Sequence, residues 1–177
     1  MSGGRLPTFP AVTFAISCGL PGCLSRYAQG IPFPIHLKQL QPMKNKPVLE
    51  LADVKTIAAA AEAEALKNNW AVSIAIVDDG GHLLHFQRLD GAAAISSHIA
   101  PAKAHTAAMG RRESKVYEDI INGGRYSFLS APNLQGMLEG GVPIMKDGQC
   151  LGAVGVSGVK STEDAQIAKA GMAAIGL

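Results

Sequence analysis

Apolar residues recur at Leu51, Val54, Ala58, Ala61 and Ala65, the spacing that lines one face of a helix, and Asn68-Asn69 closes the run. This predicts an amphipathic, alanine-rich helix over residues 51–68. The period then changes. Val72, Ile74 and Ile76 alternate with Ser73 and Ala75, Asp79-Gly80-Gly81 turns the chain, and residues 83–89 return. Both strands are expected to be half-buried in an antiparallel pair. Alanine-rich residues 92–109 predict a second helix, kinked or restarted at Pro101 and ended by Gly110. A charged helix over 112–122 follows, with Val116, Ile120 and Ile121 inward and Gly123-Gly124 as its stop. Residues 125–135 carry no period. Three more strands are expected at 136–139, 142–145 and 150–156, the last two joined by Asp147-Gly148, a hairpin signal. Ser161 is placed to cap a final helix whose first turn holds Glu163 and Asp164, where negative charge is favoured. Short turns between paired strands predict an α+β fold on an antiparallel sheet.

Residues 1–42 differ in kind. They hold six of the ten prolines, no regular period, and Arg5, Arg26 and Lys38 with no acidic residue. Met43 then opens an ordinary start. The segment is expected to be a disordered extension, or alternatively an export leader built on Arg5, an apolar run over 9–20 and Leu20-Pro21-Gly22-Cys23. Residues 43–177 are expected to form one domain, long enough to bury a core. No stretch reaches the roughly 20 apolar residues of a membrane span. A cytoplasmic location is expected, or an exported one if 1–42 is a leader.

Removing the three basic residues of that segment from the total of 16 leaves 13 against 14 acidic ones. The body therefore lacks the broad basic surface that drives phosphate binding, which argues against nucleic acid as a partner. Cys150 stands alone in the body, so no internal disulfide framework is possible there, and its place at the start of a strand suits a small core residue.

The densest chemical signal lies in Gly140, Gly141, Gly148, Gly152, Gly155 and Gly158, set among alternating apolar residues. Their spacing is not the GxGxxG of a dinucleotide site, and no phosphate-loop lysine accompanies them. Ser157, followed by Gly158 and Val159, lacks the complete Gly-x-Ser-x-Gly of a hydrolase elbow. Bare backbone at these glycines, Gly140 and Gly141 among them, is expected to let a ligand or another backbone approach closely. His98 and His105 are seven residues apart, two helical turns, with Lys103 between them and Arg88 ending the preceding strand. A zinc site would want closer histidines and a third ligand, so no metal site is expected. Haem asks less: one or two axial ligands, cations for its propionates and an apolar slot, which His98, His105, Lys103 and Arg88 are suited to supply. His82 and His85 fall on opposite faces of their strand.

Three segments, APAKAHTAAMGRRES over 100–114, EGGVPIMKDGQCLGAVGVSG over 139–158 and TEDAQIAKAG over 162–171, together resemble the GlcG/HbpS family, which includes the C-terminal domain of PduO-type proteins. The resemblance spans residues 47–175. The family's Lys-Ala-x-Thr-Ala run is matched by Lys103, Ala104, His105, Thr106 and Ala107, and its glycine signature by Gly140, Gly141 and the run from Gly152 to Gly158. The resemblance implies a profilin-like fold, a five-stranded antiparallel sheet flanked by helices, assembled as a homo-oligomer, with haem bound by some members.

The leading expectation is a small oligomeric haem-binding protein with its ligand between the Lys103/His105 helix and the glycine-bearing strands. The alternative is a cofactor-free enzyme on a small carboxylated metabolite. There Lys103 and Arg88 would hold the carboxylate and His105 would serve as general base. A third is a structural assembly subunit with no ligand.

Overall fold

A strand apolar at every second position and small in between can be covered on both faces. β1 (Ser73–Asp78) does this, with Ser73 to Val77 all buried. In the computed structural model, which describes residues 45–177, β1 lies inside a four-stranded sheet of order β2-β1-β4-β3. Every pairing is antiparallel: β1 with β2 (Leu83–Arg88), β1 with β4 (Gln149–Ser157), and β4 with β3 (Gly141–Lys146). The expected half-burial therefore fails for β1, whereas β2 alternates half-buried His85 and Gln87 with exposed neighbours. β1 is central, and β2 is an edge with Leu83, Leu84 and Phe86 exposed.

Alternation along β1 and β4 sorts the core into two layers. Ile74, Ile76, Val154 and Val156 face α1 (Leu51–Lys67) and α4 (Ser161–Ala173), meeting Val54, Ile57, Ala61, Ile167 and Ala168. Ala75, Val77 and Ala153 face α2 (Ser96–Gly110), meeting Ala100, Ala104 and Ala107. On that side small residues let the helix backbone sit close to the sheet. Gly141 and Gly155 are cross-strand partners beneath α2. A Cβ on Gly155 would collide with the carbonyl oxygen of Ala100, and one on Gly141 with that of Lys103. The Asp147-Gly148 hairpin forms as expected, with φ of 49° and 74°, both positive as a type I′ turn requires.

Residues 136–139 do not form the expected fifth strand; among the described residues there are four. Their backbone bonds go to helix side chains instead of a ladder. The Gly136 N–H donates to Thr106 Oγ1 at 3.2 Å, the Glu139 N–H to Glu118 Oε2 at 2.6 Å, and the Leu138 carbonyl accepts from Ser114 Oγ. In α3 (Lys115–Asn122) Tyr117 is the buried residue, while Val116 is exposed and Ile120 and Ile121 are half-buried. The reason is Gly110, whose missing side chain leaves room for the Tyr117 ring. Pro101 neither breaks nor restarts α2, which runs unbroken through it. Lys160, not Ser161, occupies the N-cap of α4, its N–H held by Glu163 Oε2 at 3.1 Å. No helix among the described residues is long and apolar enough to cross a membrane. The expectations for residues 1–42 lie outside the described residues.

Candidate ligand-binding cleft on α2

Residues two apart on a helix point in nearly opposite directions, and this separates the two most prominent candidates. Lys103 turns inward and is only 3% exposed. Its Nζ donates to Asp164 Oδ2 at 2.8 Å and to the Val156 carbonyl at 3.1 Å, tying α2 to α4 past the end of β4. Gly140, with φ of 122°, lies against this ammonium, where a Cβ would come within 2.8 Å of Nζ. Burial pushes the Asp164 carboxyl above the ordinary range, against the pull of Lys103.

Lys103, Gly140 and Gly141 are thus brought together, but around an ion pair. The expected slot between α2 and the glycine-bearing strands is filled by helix backbone. Gly141 has its N–H bonded to Ser114 Oγ at 2.8 Å and its carbonyl to the Ser114 N–H at 3.0 Å.

His105 sits on the outer side of α2, half-buried. Its Nδ1 lies 3.2 Å from the Gly81 carbonyl oxygen. A carbonyl only accepts, so Nδ1 is the donor in this contact and Nε2 is the nitrogen left to accept or ligate. Gly81 is required twice over: its φ is +80°, and a Cβ there would collide with Nδ1. The turn that delivers this carbonyl is itself pinned. Asp78 Oδ1 accepts the N–H groups of Gly80 and His82 at 2.8 Å each, and the His82 ring lies 3.1 Å from Oδ2. Partial burial opposes ionisation of Asp78, but these bonds outweigh it and hold the carboxyl below its usual range.

A cleft of about 260 Å³ opens beside His105, lined also by Ala102, Asn133 and Gln135. Gln135 borders a second depression of about 300 Å³, whose wall includes Ile121, Leu129, Met137 and Leu138. His98 lies exposed in the first turn of α2, and Arg88 is exposed at the end of β2, opposite Ser73. Cys150 is buried, and burial raises its thiol pKa.

Asn133, Gln135, Gly81 and Asp164 were not singled out as site residues from the sequence. Pro132-Asn133 is a turn signal, and Asn133 does take a left-handed conformation with φ of 62°. Asp164 falls on the same inward stripe as Ala168 and Gly171, a spacing legible in the sequence.

The model of the haem-degrading protein HbpS-like family matches residues 49–173. The chain belongs to that family. Protein GlcG of Escherichia coli is 55% identical over 115 residues, covering 65% of this chain and 85% of GlcG. The crystal structure of a double mutant of HbpS from Streptomyces reticuli is similar to this HbpS-like chain with a TM-score of 0.69 and 29% identity, covering 76% of this chain and 92% of that one. A crystal structure of a PduOC–haem complex is similar with a TM-score of 0.67 and 27% identity, covering 73% and 96%.

Proposed function

We propose that this HbpS-like protein binds haem in the α2 cleft, with His105 as the iron ligand, and serves in haem sensing or handling. The observation that carries the reading is family membership joined to a structural neighbour solved as a haem complex. The residues of this chain fit such a role. A histidine whose Nδ1–H is held by a carbonyl presents Nε2 in the form that ligates metal, with its ring orientation fixed. Ala102 adds only a methyl group to the cleft that His105 lines, and the apolar depression beyond Gln135 suits a porphyrin edge. Bound there, haem would supply an iron centre for ligand exchange or electron transfer. Lys103 is engaged by Asp164, and Arg88, opposite Ser73 at the end of β2 away from the Gly81 turn, lines neither depression, so neither expected cation stands in the cleft for a propionate.

Haemin titration of the full chain tests this. A stoichiometric Soret shift is expected, weakened about tenfold or more by His105→Ala, the scale seen when metal-site partners are removed. Absence of a shift overturns haem binding. A loss with His98→Ala but not with His105→Ala overturns the ligand assignment.

The same reading includes self-association through β2, whose unpaired edge carries exposed Leu83, Leu84 and Phe86. It also includes residence in the cytoplasm, which suits a described region with a single, buried, unpaired cysteine.

A further inference from the structure

The groove at the C-terminal end of α1 carries a chemistry unrelated to the α2 cleft. It measures about 380 Å³, within the range of small-molecule sites, and Trp70, Leu66 and Leu89 form its apolar wall. Its charged groups are Glu62 and Asp90, and among the described residues no basic side chain lines it. Among the described residues neither carboxylate is ion-paired. The helix end at Asn68 adds partial negative charge of the same sign.

The Glu62 carboxylate is also held in place. His85 Nε2 lies 3.1 Å from Gln87 Oε1, an oxygen that only accepts, so the histidine donates. Gln87 Nε2 in turn donates to Glu62 Oε2 at 3.2 Å, leaving Oε1 without a partner among the described residues. Each feature favours a cation: indole attracts cations more strongly than other aromatics, the carboxylates and helix end add Coulomb attraction, and the apolar wall suits alkyl groups.

We propose that this groove binds a small organic cation of the alkylammonium class, its charge held by Glu62 and Asp90 and its alkyl groups lying against Trp70, Leu66 and Leu89. Trp70 is the only tryptophan of the chain, so its emission reports the groove directly. The experiment is a fluorescence titration of the full chain with choline. Sodium chloride of equal ionic strength and the neutral isostere 3,3-dimethylbutan-1-ol serve as controls. A saturable change with choline alone is expected, with apparent affinity reduced roughly fivefold by Glu62→Gln or by Asp90→Asn, the upper scale of an exposed ion pair. Both residues lie at the surface rim, and unchanged far-UV circular dichroism verifies that each variant is folded. No saturable response, an equal response to the isostere, or undiminished affinity in both variants overturns the proposal.

Discussion

Removing one partner of the Lys103–Asp164 pair is expected to be among the most damaging single changes open to this chain. Both side chains are at most 4% exposed, so neither charge can turn to water if the other is lost. Breaking such a pair costs about 3–5 kcal/mol, a large share of the roughly 5–15 kcal/mol that holds a domain folded. Lys103→Met strands the Asp164 carboxylate, and Asp164→Leu strands the ammonium and the Val159 N–H that Oδ1 accepts at 3.3 Å. The double variant leaves no buried charge. It should therefore lose less than the sum of the singles, with a coupling of about 2–3 kcal/mol, near the top of the range for contacting residues.

Urea unfolding followed by Trp70 emission and circular dichroism measures this. With a slope near 2 kcal/mol per molar, each single variant should move its midpoint by about 2 M. The pH dependence gives a second reading. Because burial raises the Asp164 pKa above its unfolded value, the native state binds the extra proton in the window just above the ordinary carboxylate range. Stability contributed by this group thus falls as pH rises through that window and levels off above it. Without Lys103 the folded pKa climbs further, so Lys103→Met should cost more at pH 7 than at pH 5. Single losses below about 1 kcal/mol, or a double variant equal to the sum, would refute the reasoning.

Gly155→Ala should destabilise by about 1–3 kcal/mol or more, read as a lower urea midpoint, because the new Cβ meets the α2 backbone, which cannot yield as a flexible side chain would. Gly81→Ala should weaken haemin binding by more than it lowers thermal stability, since it both strains a φ of +80° and displaces the His105 ring. Equal binding by Gly81→Ala and the parent chain would show that the Gly81–His105 contact does not orient the ligand.

The periodic parts of this fold were legible because burial on a helix or strand leaves a repeat. Val54, Ala58, Ala61 and Ala65 mark α1, and the alternation around Ile74 and Ile76 marks β1. What repeats do not encode is which strand is central. β1 is covered twice because β4, far along the chain, pairs with its second edge. Residues 136–139 resemble a strand in pattern, yet Thr106, Ser114 and Glu118 take the bonds a ladder would have used. In the site, helix geometry alone could have parted Lys103 from His105. The Gly81 contact is different: it joins positions 24 apart through a turn whose path no local pattern specifies. Most of the glycines are places of close approach, but what approaches is the protein itself: the backbone of α2 at Gly141 and Gly155, the Lys103 ammonium at Gly140, and the carbonyls of Val77 and Ala71 at Gly152 and Gly158.

The position of β4 between β1 and β3 also governs how the chain reaches this state. β1 emerges from synthesis long before Gln149, so one of its two edges stays open while all of the intervening helices are made. Pairing across such a distance is slow, because the loop must close before any contact rewards it. During that interval an apolar strand meant for complete coverage is available to the wrong partner, as strands with unpaired edges are in partly folded chains. The β3–β4 hairpin supplies together the missing edge of β1, part of the floor for α2 and the carbonyl that receives Lys103.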